Sequence, residues 1–257
     1  MILGSLLVTT PASAIFYGDF SDPSGTVSFL DVADINGLYG GPIDQFGDPS
    51  GPTVSVNSLD FTPVNFIQSC SNCPGGGTTS DTISFMIDSE PGQAISTIDI
   101  NEAGNFSLNA IGGGSFAQVL ISASVTIDVF EVNGIGVSNV SGSSALSFVF
   151  DAPNFVGAFQ NGSGLFTGSL SIDVNSILAA AGQGFGVGDQ ATLVQFTLDN
   201  TLQAFHSGAG GNALIRKRDF DSTAITVNGG VVVPEPSTAL LFLGGLAALS
   251  GRRSQRR

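Results

Sequence analysis

Apolar and polar residues alternate along most of the chain, and the alternation is sharpest between residues 119 and 129. Val119, Ile121, Ala123, Val125, Ile127 and Val129 share one parity; Ser122, Ser124, Thr126 and Asp128 occupy the other. A period of two predicts a strand with one face in a core and one in water. The same reasoning predicts strands at 26–32, 53–61, 82–88, 95–101, 145–151, 165–174, 191–199 and 223–227. Turn chemistry separates them, as in Asp22-Pro23-Ser24-Gly25, Asp48-Pro49-Ser50-Gly51, Glu90-Pro91-Gly92 and Asn133-Gly134, where Gly and Asn accept the backbone angles a tight turn demands. One segment reads as helix, 173–181, opening on capping residues and stopping at Gly182. Many short strands with one helix predict an all-β fold, a single jelly-roll-like β-sandwich. Two small β-domains divided near residues 156–168 are the alternative.

The two ends depart from this pattern. A short apolar stretch from Ile2 to Val8 precedes Ala12-Ser13-Ala14, a small-x-small site of the kind a signal peptidase cuts. The basic start that normally precedes such a stretch is missing, so the expectation is a signal peptide over 1–14 whose start lies upstream of Met1. The mature chain then begins at Ile15. A buried N-terminal strand is the alternative. At the other end, Pro234-Glu235-Pro236 leads into an apolar run from Ser237 to Leu249. Arg252, Arg253, Arg256 and Arg257 follow it.

These three parts, in this order, closely resemble the PEP-CTERM sorting signal of bacterial surface proteins. The resemblance implies a cleavable C-terminal hydrophobic helix and processing by an exosortase, a membrane-embedded cysteine peptidase. The plan is therefore a signal peptide at 1–14, a β-sandwich domain at 15–228 and a sorting signal at 229–257. The body is similar to uncharacterised β-rich domains found ahead of such tails, through Gly18-Asp19-Phe20-Ser21, Ser58-Leu59-Asp60-Phe61-Thr62-Pro63 and Ile100-Asn101-Glu102-Ala103-Gly104-Asn105-Phe106. That likeness implies fold and location only.

Composition narrows the function. Only 11% of the 257 residues are charged, against roughly 25% in average soluble proteins. Seven Lys and Arg face 21 Asp and Glu, a net charge of -14, which argues against a nucleic-acid partner, whose phosphates need a basic face. A mean hydropathy of +0.34 excludes ordinary disorder, and two cysteines exclude a disulfide-rich scaffold. All seven cations lie at 216–218 or in the tail. Cleavage before Pro234 leaves three cations against 20 acids, a net charge of -17.

Candidate chemistry is sparse. Cys70-Ser71-Asn72-Cys73 is a lone CxxC; in an exported chain the default is a local disulfide between Cys70 and Cys73. A zinc site would need two further ligands, and a redox centre a helix N-terminus in a βαβ setting. His206 is the only histidine and would have to serve as base in any Ser-His-Asp triad; no Gly-x-Ser-x-Gly elbow accompanies it. It is expected at an exposed strand end. Glu90, Glu102 and Glu131 are the glutamates left after tail removal. They offer the carboxylates of a glycosidase, but Trp is absent and Tyr17 and Tyr39 are the only tyrosines, so the usual sugar-stacking platforms are scarce. Asp19, Asp22, Asp31, Asp34, Asp44 and Asp48 crowd the early mature chain and are candidate calcium ligands, against a plainer role in turns and strand ends. Arg216-Lys217-Arg218, with Asp219 and Asp221 close by, is expected to pair locally on a solvated strand or loop.

These features point to a non-enzymatic exported protein of the cell surface or extracellular matrix, associated with exopolysaccharide or biofilm. The alternative is a carbohydrate-binding module, calcium-assisted or not. The expected partners are signal peptidase, exosortase and exopolysaccharide. Insertion of the tail in the inner membrane is expected to be transient, and no cofactor is expected beyond the calcium candidate.

Overall fold

The structure is a computed structural model and describes residues 14–38, 51–63, 65–71, 73–186, 188–208, 210–217 and 223–231. The expected signal-peptidase residue Ala12 and the sorting residues Pro234, Glu235 and Pro236 lie outside these, as do Asp44 and Asp48; Ala14 is exposed just ahead of the first strand.

Fifteen strands and one short helix follow in order: β1 Ile15–Ser21, β2 Val27–Asp34, β3 Thr53–Ser55, β4 Ser58–Phe61, β5 Ile67–Cys70, β6 Cys73–Ser89, β7 Gln93–Ala110, β8 Phe116–Val132, β9 Ile135–Ala145, β10 Ser147–Phe150, β11 Phe155–Val156, β12 Gln160–Asp173, α1 Val174–Ala180, β13 Ala191–Ser207, β14 Gly211–Lys217 and β15 Thr223–Val231. The all-β class with one short helix is what the sequence predicts. Several strands are longer than the periodicity indicates: β6 and β12 continue through Gly- and Ser-rich stretches, and β7, β8 and β13 run past the clearest alternation.

Two groups of strands can be followed from the pairings. In the first, β13 runs antiparallel between β6 and β8, with β2 and β1 beyond β6 and β9 beyond β8. In the second, β7 pairs along its length with β12 on one side and with β14 and then β15 on the other. A single pair, Ala191 opposite Ile95, ties the groups together. Where a two-sheet jelly-roll sandwich was expected, all fifteen strands thus join in one hydrogen-bonded sheet, nearly closed and barrel-like. Closure of this kind reduces exposed strand edges, which otherwise template aggregation.

Alternation places the core. Ile83, Phe85 and Ile87 of β6, Val125, Ile127 and Val129 of β8, and Phe196 and Leu198 of β13 face Ile98, Ile100 and Phe106 of β7, Phe166 of β12 and Ile225 of β15 in one buried cluster. Phe85 stacks on Phe196 with centroids 4.8 Å apart. Local signals hold where they are strongest. Asn133 and Gly134 both take positive φ, 52° and 75°, and close the two-residue β8–β9 hairpin, in which Val132 faces Ile135. That is the turn geometry that matches strand twist. Asp173 caps α1, accepting from the backbone N–H of Asn175 and Ser176. This satisfies donors that the first helical turn leaves orphaned.

Candidate functional site

The densest chemistry lies inside the barrel. Among the described residues eight polar or charged side chains are buried, and six of them belong to one cluster: Asp34 and Thr223 at 0% exposure, Asp81, Asn200 and Lys217 at 1% and Glu102 at 2%. Each sits on a parity that is otherwise apolar. Asp81 precedes Ile83, Phe85 and Ile87; Glu102 follows Ile98 and Ile100; Asn200 lies between Leu198 and Leu202; Lys217 follows Ala213 and Ile215. The strand pattern therefore turns all four side chains inward.

Pairing then brings them together. Asn200 on β13 stands opposite Asp81 on β6, and Glu102 on β7 opposite Thr223 on β15. Lys217, at the end of β14, stands opposite Gly104 of β7. A side chain at Gly104 would collide with the Phe166 ring and the Arg216 carbonyl, so only glycine lets these strands meet here. The Lys217 Nζ and the Asn200 Nδ2 both donate to one atom, Glu102 Oε1, and Lys217 forms an ion pair with that carboxylate. Nζ also lies 3.3 Å from Thr223 Oγ1 and 5.5 Å from the centre of the Phe66 ring. The second oxygen of Glu102 and the Asn200 Oδ1 are buried with no hydrogen-bond partner.

Asp34 and Asp81 form the other end of the cluster. Asp81 accepts from the backbone N–H of Asn36 and Leu38 at 2.8 Å each and so holds the segment after β2; Asp34 accepts from Gly37 at 2.7 Å. Burial pushes the Asp81 carboxyl up to about 7, and Asp34 adds to the rise, while the backbone donors oppose it. Burial, and then Asp34, raise the Tyr17 phenol. Burial pushes the Lys217 ammonium below the ordinary lysine range, against the opposing pull of Glu102 and Asp81.

A pH dependence follows. A carboxyl with a raised folded pKa favours the fold when protonated, so its contribution is complete below 3.8 and is lost as pH rises through about 7. Asp34, Tyr17 and Lys217 are the charged or titratable groups that face it. The Asp81→Asn chain should therefore lose less melting temperature than wild type between those two pH values. Parallel curves in a thermal-shift series would show that Asp81 does not titrate in this window.

Several sequence expectations are corrected here. Lys217 is not solvated but buried against Glu102; Arg218, Asp219 and Asp221 lie outside the described residues. His206 is fully buried on β13 rather than exposed at a strand end, because it continues the inward parity of Leu202 and Ala204. Of the early aspartates that are described, Asp22 accepts from Ser24 and Val56 in a turn, Asp19 from the backbone of Asp31, and Asp34 is in the core. Among the described residues no three His, Cys, Asp or Glu stand close enough to hold a metal ion. Cys70 and Cys73 are bonded to each other, with Cα atoms 5.8 Å apart. Glu90 and Glu131 line a surface cleft of about 450 Å³ with Asp88, Asn133 and Thr192.

The comparisons add the destination. Residues 232–257 match the family model of the PEP-CTERM protein-sorting motif; the chain carries that sorting motif at these residues. The motif marks an exported protein that passes through the membrane, is processed by an exosortase and is bound for the cell envelope or surface. Among the described residues no helix is long and apolar enough to cross a membrane. No curated protein sequence matches the chain. A solved structure of the infectious bursal disease virus Gx strain is 16% identical over 83% of this chain and 51% of its own, with a TM-score of 0.21. The VP2 subviral particle of the same virus is 14% identical over 83% and 52%, with a TM-score of 0.14. The chain spans about half the length of each, and neither TM-score marks a shared fold.

Proposed function

We propose that the chain is a non-enzymatic component of the cell surface or extracellular matrix, delivered by its sorting motif and retained among exopolysaccharide. The observation that carries this reading is the union of that motif with a β-rich body whose ionisable cluster is sealed in the core. Polar side chains of an active site must meet a substrate, whereas Glu102, Asn200 and Lys217 meet one another. The net charge of -17 expected after processing keeps such a component soluble and mutually repelling.

The test is recovery of the mature protein from the extracellular and surface fractions, with its termini read by intact mass. The expected form begins at Ile15 and lacks Arg252 to Arg257. Full-length chain confined to the inner membrane would overturn the reading. A glycan array probed with the same mature protein separates the carbohydrate-binding reading: selective sugar binding would favour it over a purely structural role.

A further inference from the structure

The geometry points to an intramolecular amide between the Lys217 side chain and the Asn200 side chain, formed by the chain on itself with Glu102 as the proton relay. This goes beyond delivery to the surface and is independent of it. Three observations carry it. The amine and the carboxamide nitrogen share one acceptor atom, Glu102 Oε1, so the two nitrogens are no more than two hydrogen-bond lengths apart. All three residues are at most 2% exposed, and they lie on separate strands, Glu102 and Asn200 within the long β7 and β13 and Lys217 at the last position of β14. Finally, two polar atoms within this cluster have no hydrogen-bond partner, the Asn200 Oδ1 and the second Glu102 oxygen, the atoms on which charge or a proton would reside during acyl transfer.

The surroundings favour the step. A lysine attacks only as the neutral amine, and burial shifts Lys217 toward that form. Fixed proximity substitutes for the reactivity an unactivated carboxamide lacks, and exclusion of water leaves the amine as the available nucleophile. Proton transfer within the buried pair yields neutral Lys217 and protonated Glu102. The Nζ lone pair attacks the Asn200 Cγ, forming the new C–N bond and moving the carbonyl electron pair to Oδ1. Glu102 gives its proton to Nδ2 and takes one from Nζ. The Oδ1 pair then returns, the Cγ–Nδ2 bond breaks, and ammonia leaves. One amine and one carboxamide become one secondary amide and one ammonia; Glu102, which began as the carboxylate of the ion pair, ends protonated, and nothing is oxidised or reduced.

The product would tie β13, in the first group of strands, to β14, in the second. It would also convert a buried charge pair into a neutral link, removing the desolvation that such a pair carries.

The experiment is intact-mass measurement on the full purified chain after reduction of Cys70–Cys73, followed by chymotryptic mapping, since Phe205 lies between the two residues. The expected mass is about 17 Da below the sequence value, the loss of one ammonia, with a branched peptide joining Asn200 and Lys217. Glu102→Gln should restore the full mass in chain that remains folded by circular dichroism. If that variant does not fold, Asn200→Asp serves instead: the same attack then releases water, and the loss becomes about 18 Da. An unmodified mass in folded wild type overturns the proposal. So does an ammonia loss mapped elsewhere, and persistence of the bond in folded Glu102→Gln removes the relay role.

Discussion

Lys217→Met should destabilise the fold by about 3–5 kcal/mol, read as a lowered urea midpoint at unchanged m-value. The side chains are close in volume, so no large cavity forms. What changes is electrostatic. Glu102, 2% exposed, loses its cation and its ion pair. Asp81 loses the same neighbour, whose charge it feels through the core. An uncompensated buried carboxylate must either keep its charge at a steep desolvation cost or bind a proton. The cost is that of the ion-paired chain; in an amide-linked chain Glu102 has no cation to lose, and the substitution removes the cross-link instead. Removing both partners is the discriminating control: Lys217→Met with Glu102→Leu leaves an apolar pair and should recover much of the loss. A single variant as stable as wild type would mean that Lys217 reaches water, contrary to its burial.

The same cluster shows how far sequence reasoning carries. The alternation of Val119 to Val129 reappears as the inward face of β8, and Asn133-Gly134 and Asp173 do locally what their chemistry predicts. Those features are set by neighbours in sequence. The polar cluster is not, because Asp81, Asn200, Glu102 and Lys217 come from four strands whose order only the fold decides. A signal was nonetheless present. Each of the four continues an apolar parity, as Lys217 does after Ala213 and Ile215 and Glu102 after Ile98 and Ile100. Reading Arg216-Lys217-Arg218 as a basic run conceals that strand alternation separates its members, leaving Arg216 half-buried and bonded to Asn105 at 2.9 Å while Lys217 points inward. Strand ends were illegible for a related reason. Gly- and Ser-rich stretches have weak periodicity, and β6 and β12 run through them because their partners supply the hydrogen bonds.

Replacing Pro234-Glu235-Pro236 by three alanines should abolish release, leaving the chain membrane-bound with Arg252 to Arg257 still attached. The argument starts from length. Ser237 to Leu249 is 13 residues, about 20 Å as helix, against the roughly 30 Å of a bilayer core. Such an anchor would be marginal, although arginines beyond it would favour the cytoplasmic side. Prolines disfavour helix and lack the backbone donor, and an extended strip of that kind is a form that a peptidase can grip. β15 is paired with β7 as far as Val231, so at most about 10 Å of chain separates the body from Pro234. Processing must therefore occur with the folded body against the membrane. Alanines remove the extended strip and also favour helix by about 3 kcal/mol at each former proline. The apolar run could then extend from Val232 to Leu249, about 27 Å, a better anchor. Retention alone would thus be ambiguous, and the deciding measurement is the C-terminal mass. Loss of the arginines at the wild-type rate would show that the Pro-Glu-Pro strip does not direct processing. Their persistence on a retained, folded chain is the expected result.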